Sequence, residues 1–305
     1  MLTKNPSSSF PVFCCLFAAA LWGLLWYPLR MLEQLGLPGL WATLIIYISA
    51  LIPLLPWIWK ERSGLAQYAG PVFMIGIFAG WTNLAFILAV LDGTVVRVLL
   101  LFYLSPIWAV LLGWLVLKER LSRRAWCSVM LALAGAVIML WSPDIGVPLP
   151  WNKADLLAIS SGIAFAAANM FVRLTRGIPM ILKMAPAWCG VVLISLGGIL
   201  FVHSPMPELS WTALMLAVAV GCVGIIIMTY CAQYGVTHLP LYRSAVIFMF
   251  EVFVGAVSAA LLTDEIITPV EWGGGLMIML AAWITAGDGA GLNNTDVSVS
   301  NRTAT

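Results

Sequence analysis

Residues 97–119 read RVLLLFYLSPIWAVLLGWLVLKE, and residues 243–265 read RSAVIFMFEVFVGAVSAALLTDE, at a constant offset of 146 positions. Few residues are identical, but the apolar runs coincide, and Arg97 matches Arg243 as Glu119 matches Glu265. Each stretch is apolar over about the length of a membrane span. A duplication of this kind predicts two related halves, which is typical of transporters that bind their substrate between the halves.

The composition indicates that lipid is the main solvent of this chain. Of its 305 residues, 62% are hydrophobic and 9% are charged, whereas soluble domains carry about 25% charged residues. The mean hydropathy is +1.02. A net charge of +2 does not indicate a nucleic-acid partner. We therefore expect an all-α membrane protein in contact with the lipid bilayer.

Apolar runs of membrane length recur along the chain and predict ten transmembrane helices. Charged or turn-forming segments separate them. Five helices fall in a first repeat, residues 1–145, and five in a second, residues 146–287; the polar tail 288–305 is predicted to be disordered. The predicted helices are Phe10–Arg30, Gly39–Trp59, Tyr68–Leu91, Val95–Leu117, Arg124–Trp141, Lys153–Arg173, Ile181–Val202, Trp211–Thr237, Leu241–Leu262 and Val270–Ala286.

The distribution of basic residues predicts the orientation. Ten helices place both termini on one side, and that side holds all but three of the 15 Lys and Arg residues; the other side holds Arg30, Arg97 and Lys153. Basic residues favour the cytoplasm, so both termini are predicted to be cytoplasmic. Because each half has an odd number of helices, the second half is inserted upside down relative to the first. Helices one and six align at an offset of 143, which pairs Trp22 with Phe165 and Arg30 with Arg173.

The stretch LSPIWAVLLGWLVLKERLSRRAWCSVMLALAGAVIML, residues 104–140, resembles the EamA repeat of the drug/metabolite transporter superfamily, with Pro106, Glu119 and Gly135 at the matching positions. The second copy has Glu251-Val252 where the family often has Glu-Pro, together with Glu265 and glycines at 273–275. The resemblance covers nearly all of residues 10–287. It implies a ten-helix exporter of the bacterial inner membrane with a central cavity lined by helices one, three, four, six, eight and nine. Its members move amino acids, other metabolites or drugs.

Glu251 is the leading candidate for substrate binding and for coupling. It lies ten residues into helix nine, about 15 Å from Leu241 along the axis, near the middle of a hydrocarbon layer of about 30 Å. An ionised carboxylate at that depth is costly, so it is expected to face a wet cavity, to pair with a cation or to be protonated. It is a proton-coupling site or a counter-charge for a substrate ammonium, or else a protonated structural carboxyl that bonds across a helix contact.

Other mid-helix polar and aromatic residues are further candidates for the substrate site. The amides Asn83, Asn169 and Gln233 bind a substrate or tie helices together. The aromatic side chains either stack on a flat substrate or pack between helices and anchor the protein at the membrane interface. Most of the 15 tryptophans are expected to have the second role. The aromatic candidates are Trp22, Tyr103 and Tyr230, with Trp26 as a further one.

Arg97 and Arg243 begin helices four and nine at opposite ends of the bundle, where they are predicted to be gate residues or to snorkel to lipid headgroups. Asp92 and His238 hold matching positions just before them. Glu119 and Glu265 lie at helix ends and are interpreted as structural. Gly76 and Gly80 form a GxxxG pair that predicts close helix packing.

Three classes of function compete, and a gradient-driven transporter fits best. A membrane enzyme would need a nucleophile or acid–base cluster, whereas the two histidines, His203 and His238, lie far apart. A channel would need charged rings or a filter sequence. The cysteines show no metal-ligand spacing, so no metal and no cofactor is expected. The predicted substrate is an amino acid or a small amphipathic metabolite; the alternative is a cationic or hydrophobic toxic compound. A homodimer is possible.

Overall fold

The computed structural model describes residues 9–61, 68–93, 95–141, 152–262 and 268–287, and these residues are helical without any strand. Nine of the described helices are long and apolar enough to cross a membrane. Pro269–Gly287 is a further helix of 19 residues. The predicted all-α membrane fold is confirmed. The predicted tail 288–305 and Glu265 lie outside the described residues.

The helices follow the predicted order and are numbered one to ten. They span Ser9–Gln34, Gly39–Glu61, Ala69–Asp92, Val95–Leu115, Arg123–Leu140, Lys153–Leu174, Ile181–Phe201, Trp211–His238, Leu241–Leu262 and Pro269–Gly287. Helices one, two, four, eight and nine are each built of shorter segments. We call the end of the bundle where helix one begins and helix ten ends the inner end, and the opposite end the outer end.

Helix–helix contacts occur in pairs, as a twofold relation between the halves would require. Helix one packs on helix eight as helix three packs on helix six, and helix one packs on helix nine as helix six packs on helix four. Helix two packs on helix eight as helix seven packs on helix three. Helices two and seven, four and nine, and five and ten each pack on their own counterpart. The boundary between residues 145 and 146 lies outside the described residues, so the division into two repeats stays a prediction.

Glycines permit the closest helix contacts. A Cβ atom at Gly80 would lie 2.5 Å from the carbonyl oxygen of Gly190, and one at Gly76 would lie 2.8 Å from that of Pro186. Helix three therefore meets helix seven through the predicted GxxxG pair. Helices five and ten meet in the same way, since a Cβ at Gly135 would lie 2.6 Å from the carbonyl oxygen of Gly274.

Helices four and nine are interrupted at equivalent positions, which the sequence ranges did not predict. Helix four consists of Val95–Phe102 and Ser105–Leu115, because Pro106 has no N–H to donate to the carbonyl of Phe102. Helix nine consists of Leu241–Phe248 and Phe250–Leu262. Helix nine has Val252 in place of the proline. Its turn at the break is a tighter 3-10 turn, with hydrogen bonds from Met249 N to Val246 O (3.2 Å) and from Val252 N to Met249 O (3.0 Å).

Candidate functional site at the two interrupted helices

The two interruptions bring Glu251 and Tyr103 together. Tyr103 lies at the break in helix four, and Glu251 is the second residue after the break in helix nine. The Tyr103 hydroxyl and the Glu251 carboxyl lie close enough to interact electrostatically. Tyr103 is buried and Glu251 is partly exposed. The sequence identified both residues separately as site candidates, and the structure joins them in one contact across the two halves.

Helices one and six close on this contact from opposite sides. A Cβ at Gly23 of helix one would lie 2.7 Å from the carbonyl oxygen of Glu251, and one at Gly162 of helix six would lie 2.8 Å from that of Phe102. Because each glycine faces a carbonyl oxygen beside a break, the small residues let a neighbouring helix approach the irregular backbone. Backbone of this kind is tolerated at membrane depth only when protein covers it or water reaches it.

Phenylalanines line the region next to Tyr103. Ring centroids are 5.4 Å apart for Phe102 and Tyr103, 5.6 Å for Phe102 and Phe165, and 6.1 Å for Phe165 and Phe248. The sequence reasoning did not select these phenylalanines. The repeat alignment could have identified two of them, because Phe165 is the equivalent of the candidate Trp22 and Phe248 is the equivalent of Phe102. Trp22 is partly buried and packs against the same cluster.

The three amide candidates do not form one group. Asn83 donates to the carbonyl of Ala79 at 3.2 Å, and its side chain lies near the Tyr47 hydroxyl on helix two. Asn169 is partly buried on helix six. Gln233 is buried, and its Nε2 lies 3.5 Å from the carbonyl oxygen of Lys183. Asn83 therefore lies where it can tie helices two and three, which is one of the two roles expected of it.

Tyr230 lies apart from Glu251. Its side chain is exposed, as are those of Val223 and Ile227 on the same stripe of helix eight. Its ring stacks on Tyr234 at 6.3 Å. A role for Tyr230 in a central site remains a prediction that these contacts do not support.

The two gate candidates are both anchored inside the protein. Arg97 donates to Asp155 of helix six through Nε (2.7 Å) and Nη2 (2.9 Å), and Asp155 is buried. Arg243 is also buried and donates to the carbonyl of Ala286. Both guanidinium groups thus have partners within the protein, and their role as gate residues stays a prediction. A two-point contact of this kind orients both partners.

Loss of Arg97 should destabilise the fold strongly. Arg97→Met leaves the buried Asp155 carboxylate without the guanidinium, at a cost of about 3–5 kcal/mol in the free energy of unfolding. The double variant Arg97→Met/Asp155→Leu should recover most of that loss, because no buried charge remains. The measurement is unfolding of the purified protein in mixed micelles.

The exposed ion pair between Lys153 and Asp92 supplies the control. Its side chains are 72% and 49% exposed and 3.2 Å apart, so Lys153→Met should change the free energy of unfolding by less than about 1 kcal/mol. If Arg97→Met unfolds at the same detergent concentration as Lys153→Met, the buried pair has no structural role.

A cleft opens at the outer end between helices one and nine. Its volume is about 310 Å³. It does not include Glu251, so it is not the site at the breaks. The lining residues are Trp26, Tyr27, Arg30, Met31, Gln34 and Leu262. Nearby, Trp26 Nε1 donates to Ser258 Oγ at 2.9 Å, which ties the same two helices together.

Sequence reasoning missed a polar cluster at the inner end. Arg173 contacts Glu119 at 3.1 Å and donates to the carbonyl of Thr237 at 2.8 Å. Lys183, which is fully buried, donates to Thr237 Oγ1 at 2.9 Å. The repeat alignment already paired Arg173 with Arg30, but nothing in the sequence indicated that Lys183 would be buried. In the described part of the chain, no group of three or more His, Cys, Asp or Glu residues could hold a metal ion.

Comparison with known proteins shows what the chain is similar to. Residues 9–141 match the EamA-like transporter family. The Escherichia coli (strain K12) protein RarD is 29% identical over 116 residues, which cover 36% of this chain and 39% of RarD. The chain thus matches about two fifths of the length of that relative. The Bacillus subtilis (strain 168) uncharacterized transporter YojE is 29% identical over 241 residues, or 74% of this chain and 76% of YojE.

A solved crystal structure shares the fold. It superposes on 90% of this chain and 94% of its own with a TM-score of 0.73 at 17% identity. The resemblance proposed from Pro106, Glu119 and Gly135 is therefore confirmed by the family match and by the transporters that the chain resembles. Residues 9–141 thus carry an EamA-like domain, the chain is similar to transporters of the drug/metabolite transporter superfamily, and its described apolar helices make it a multi-pass membrane protein.

Proposed function

We propose that this transporter exports amino acids or small amphipathic metabolites through the bacterial inner membrane by alternating access through a central cavity, with both termini in the cytoplasm. The observation that carries the proposal is the juxtaposition of Tyr103 and Glu251 at the breaks of two interrupted helices. Interrupted helices at matching positions of two halves are typical of the substrate site in secondary transporters. The site then lies between helices four and nine, with helices one and six beside it.

The residues at the site suit an amphipathic amine. The Glu251 carboxylate supplies a counter-charge for a substrate ammonium. Its neighbour is the neutral Tyr103 hydroxyl, which a charged ammonium group can displace. The rings of Phe102, Phe165 and Phe248 supply an apolar wall beside Tyr103. Substrate release then restores the Tyr103 contact or protonates Glu251, and the second route would couple export to the proton gradient.

The same features favour a second candidate, efflux of cationic or hydrophobic toxic compounds. A carboxylate beside phenylalanine rings also suits a flat organic cation, through charge and through ring stacking. The two functions differ in the polar groups that the substrate requires. An amino acid has a carboxylate that needs a hydrogen-bond donor, and the amides available for this are Gln233, Asn169 and Asn83.

Uptake into proteoliposomes tests the proposed substrate class. Labelled tryptophan and phenylalanine should enter by a saturable route, and uptake should rise when the proton gradient is imposed in the driving direction. Empty liposomes and liposomes with the folded Glu251→Gln variant are the controls. Saturable uptake that ignores the gradient would assign Glu251 to binding alone.

Two further outcomes would contradict the amino-acid proposal. Absence of uptake above empty liposomes, from protein that elutes as a folded species, would exclude aromatic amino acids as substrates. Transport of a lipophilic cation such as tetraphenylphosphonium in the same vesicles would then favour the efflux function.

A further inference from the structure

The turn between helices eight and nine is largely buried, although connections between helices normally run over the surface; within it His238 is exposed and Pro240 is partly exposed. Helix eight ends at His238 and helix nine begins at Leu241. Thr237, Leu239 and Leu241 are 3%, 2% and 1% exposed. All eight residues of the first segment of helix nine, Leu241–Phe248, are buried as well. We call residues 237–241 the inner turn.

Three charged side chains from three other helices converge on the inner turn. Glu119, after helix four, accepts a hydrogen bond from the Leu241 backbone N–H at 2.8 Å. Arg173, on helix six, donates to the Thr237 carbonyl at 2.8 Å. Lys183, on helix seven, donates to Thr237 Oγ1 at 2.9 Å. Each contact joins helices four, six or seven to the connection between helices eight and nine.

The signs of the charges match the helix ends that they contact. The first N–H groups of a helix and its last carbonyls lack partners within the helix, and they carry partial positive and negative charge respectively. The Glu119 carboxylate therefore stabilises the start of helix nine, and the Arg173 guanidinium stabilises the end of helix eight. Their own contact at 3.1 Å holds both in place, with side chains only 14% and 18% exposed.

Lys183 is the least expected of the three. It is fully buried, and Thr237 Oγ1 is the one side-chain partner that the described residues offer its ammonium. The nearby Gln233 Oε1 is buried without a hydrogen-bond partner among the described residues. Burying an ammonium is costly unless a hydrogen bond satisfies it, so the bond to Thr237 Oγ1 holds Lys183 against the inner turn.

The outer end differs at the equivalent positions. Arg30, the equivalent of Arg173, is exposed and lines the cleft of about 310 Å³. Leu40, which aligns with Lys183 at the offset of 143, has no charge. The equivalent of Glu119 lies outside the described residues. The inner end therefore carries charged ties at positions whose outer equivalents are the exposed Arg30 and the uncharged Leu40.

We propose that Glu119, Arg173 and Lys183 form a latch on the inner turn that keeps the inner end closed and that must release before substrate enters from that side. This inference rests on the proposed function in one respect, namely that transport proceeds by alternating access. It does not depend on which substrate is carried. The latch is distinct from the Tyr103–Glu251 site, because its three ties hold a helix connection and none of them involves Glu251.

Thiol labelling at both ends tests the latch without any substrate. Leu239→Cys reports on the inner end, and Gln34→Cys, in the outer cleft, reports on the outer end. Each is reacted in membrane vesicles with an impermeant maleimide from its own side, and the modified peptide is quantified by mass spectrometry. In the Glu119→Gln/Lys183→Met background, labelling of Cys at 239 should accelerate by about tenfold, which corresponds to about 1.4 kcal/mol, and labelling at 34 should slow.

Controls separate latch release from general loosening. Lys153→Met removes one partner of the exposed ion pair with Asp92 and should change neither labelling rate. Faster labelling at both ends of the double variant would indicate partial unfolding and would overturn the latch, as would an unchanged rate at residue 239 in protein that remains folded. Failure of amino-acid uptake with the expected labelling would refute the substrate proposal and leave the latch intact.

Discussion

Glu251→Gln should abolish gradient-driven transport in protein that still folds and inserts. Glutamine keeps the shape of the side chain and an oxygen that can face the Tyr103 hydroxyl, so the contact between helices four and nine survives. It loses the charge and the exchangeable proton. Because hydrogen bonds to charged groups contribute about 1.5–3 kcal/mol, substrate affinity should fall about 10- to 100-fold. The measurements are substrate exchange and gradient-driven uptake in the same proteoliposomes.

The two measurements distinguish binding from coupling. Loss of gradient-driven uptake with intact exchange would assign Glu251 to coupling, whereas loss of both would assign it to substrate binding. Tyr103→Phe is the matched variant, since it removes the hydroxyl and keeps the carboxylate; a milder loss is expected. Unchanged transport in Glu251→Gln would make the carboxyl structural, the other role that the sequence leaves open.

Gly190→Leu should prevent accumulation of folded protein. Gly190 lies where helix seven crosses helix three, and the position of a Cβ there coincides with the backbone of Gly76. Backbone atoms cannot move aside as a flexible side chain does, so the two helices must separate. Overpacking alone costs about 1–3 kcal/mol, and the loss of this contact adds to it. The measurement is the yield of monodisperse protein after membrane extraction.

Gly197 provides the control on the same helix. A Cβ at Gly197 meets no other atom within 4 Å. Gly197→Leu is therefore the same substitution at a position where the new side chain has room. Its yield should match that of the wild type. Equal losses in Gly190→Leu and Gly197→Leu would mean that leucine at either position harms insertion, and that the helix contact is not the cause.

Much of the fold follows from the sequence because hydropathy acts over each span separately. The runs that predicted the helices recur as helices in the same order, and Gly76 and Gly80 predicted a close approach. The offsets of 146 and 143 predicted which positions are equivalent. These features depend on composition, spacing and residue size, which can be read without knowing the neighbours.

Part of the candidate site also follows from the sequence. Glu251 and Tyr103 are polar or aromatic residues at mid-helix positions, where burial in lipid makes them exceptional. Their mutual contact does not follow, because it depends on the rotation of helices four and nine about their own axes. The break in helix nine could not be predicted from the sequence either, because Val252 stands where helix four has the proline that accounts for its break.

Partner choice is what only the tertiary structure decided. Arg97 meets Asp155 across 58 positions, and Arg173 meets Glu119 across 54. Lys183 is polar in sequence and fully buried in the fold. Hydropathy determines that a segment is a helix in lipid, because every residue of the span contributes to the transfer free energy. It does not determine which face meets which neighbour; each residue turns the helix by about 100°, and only packing against the other helices selects the angle.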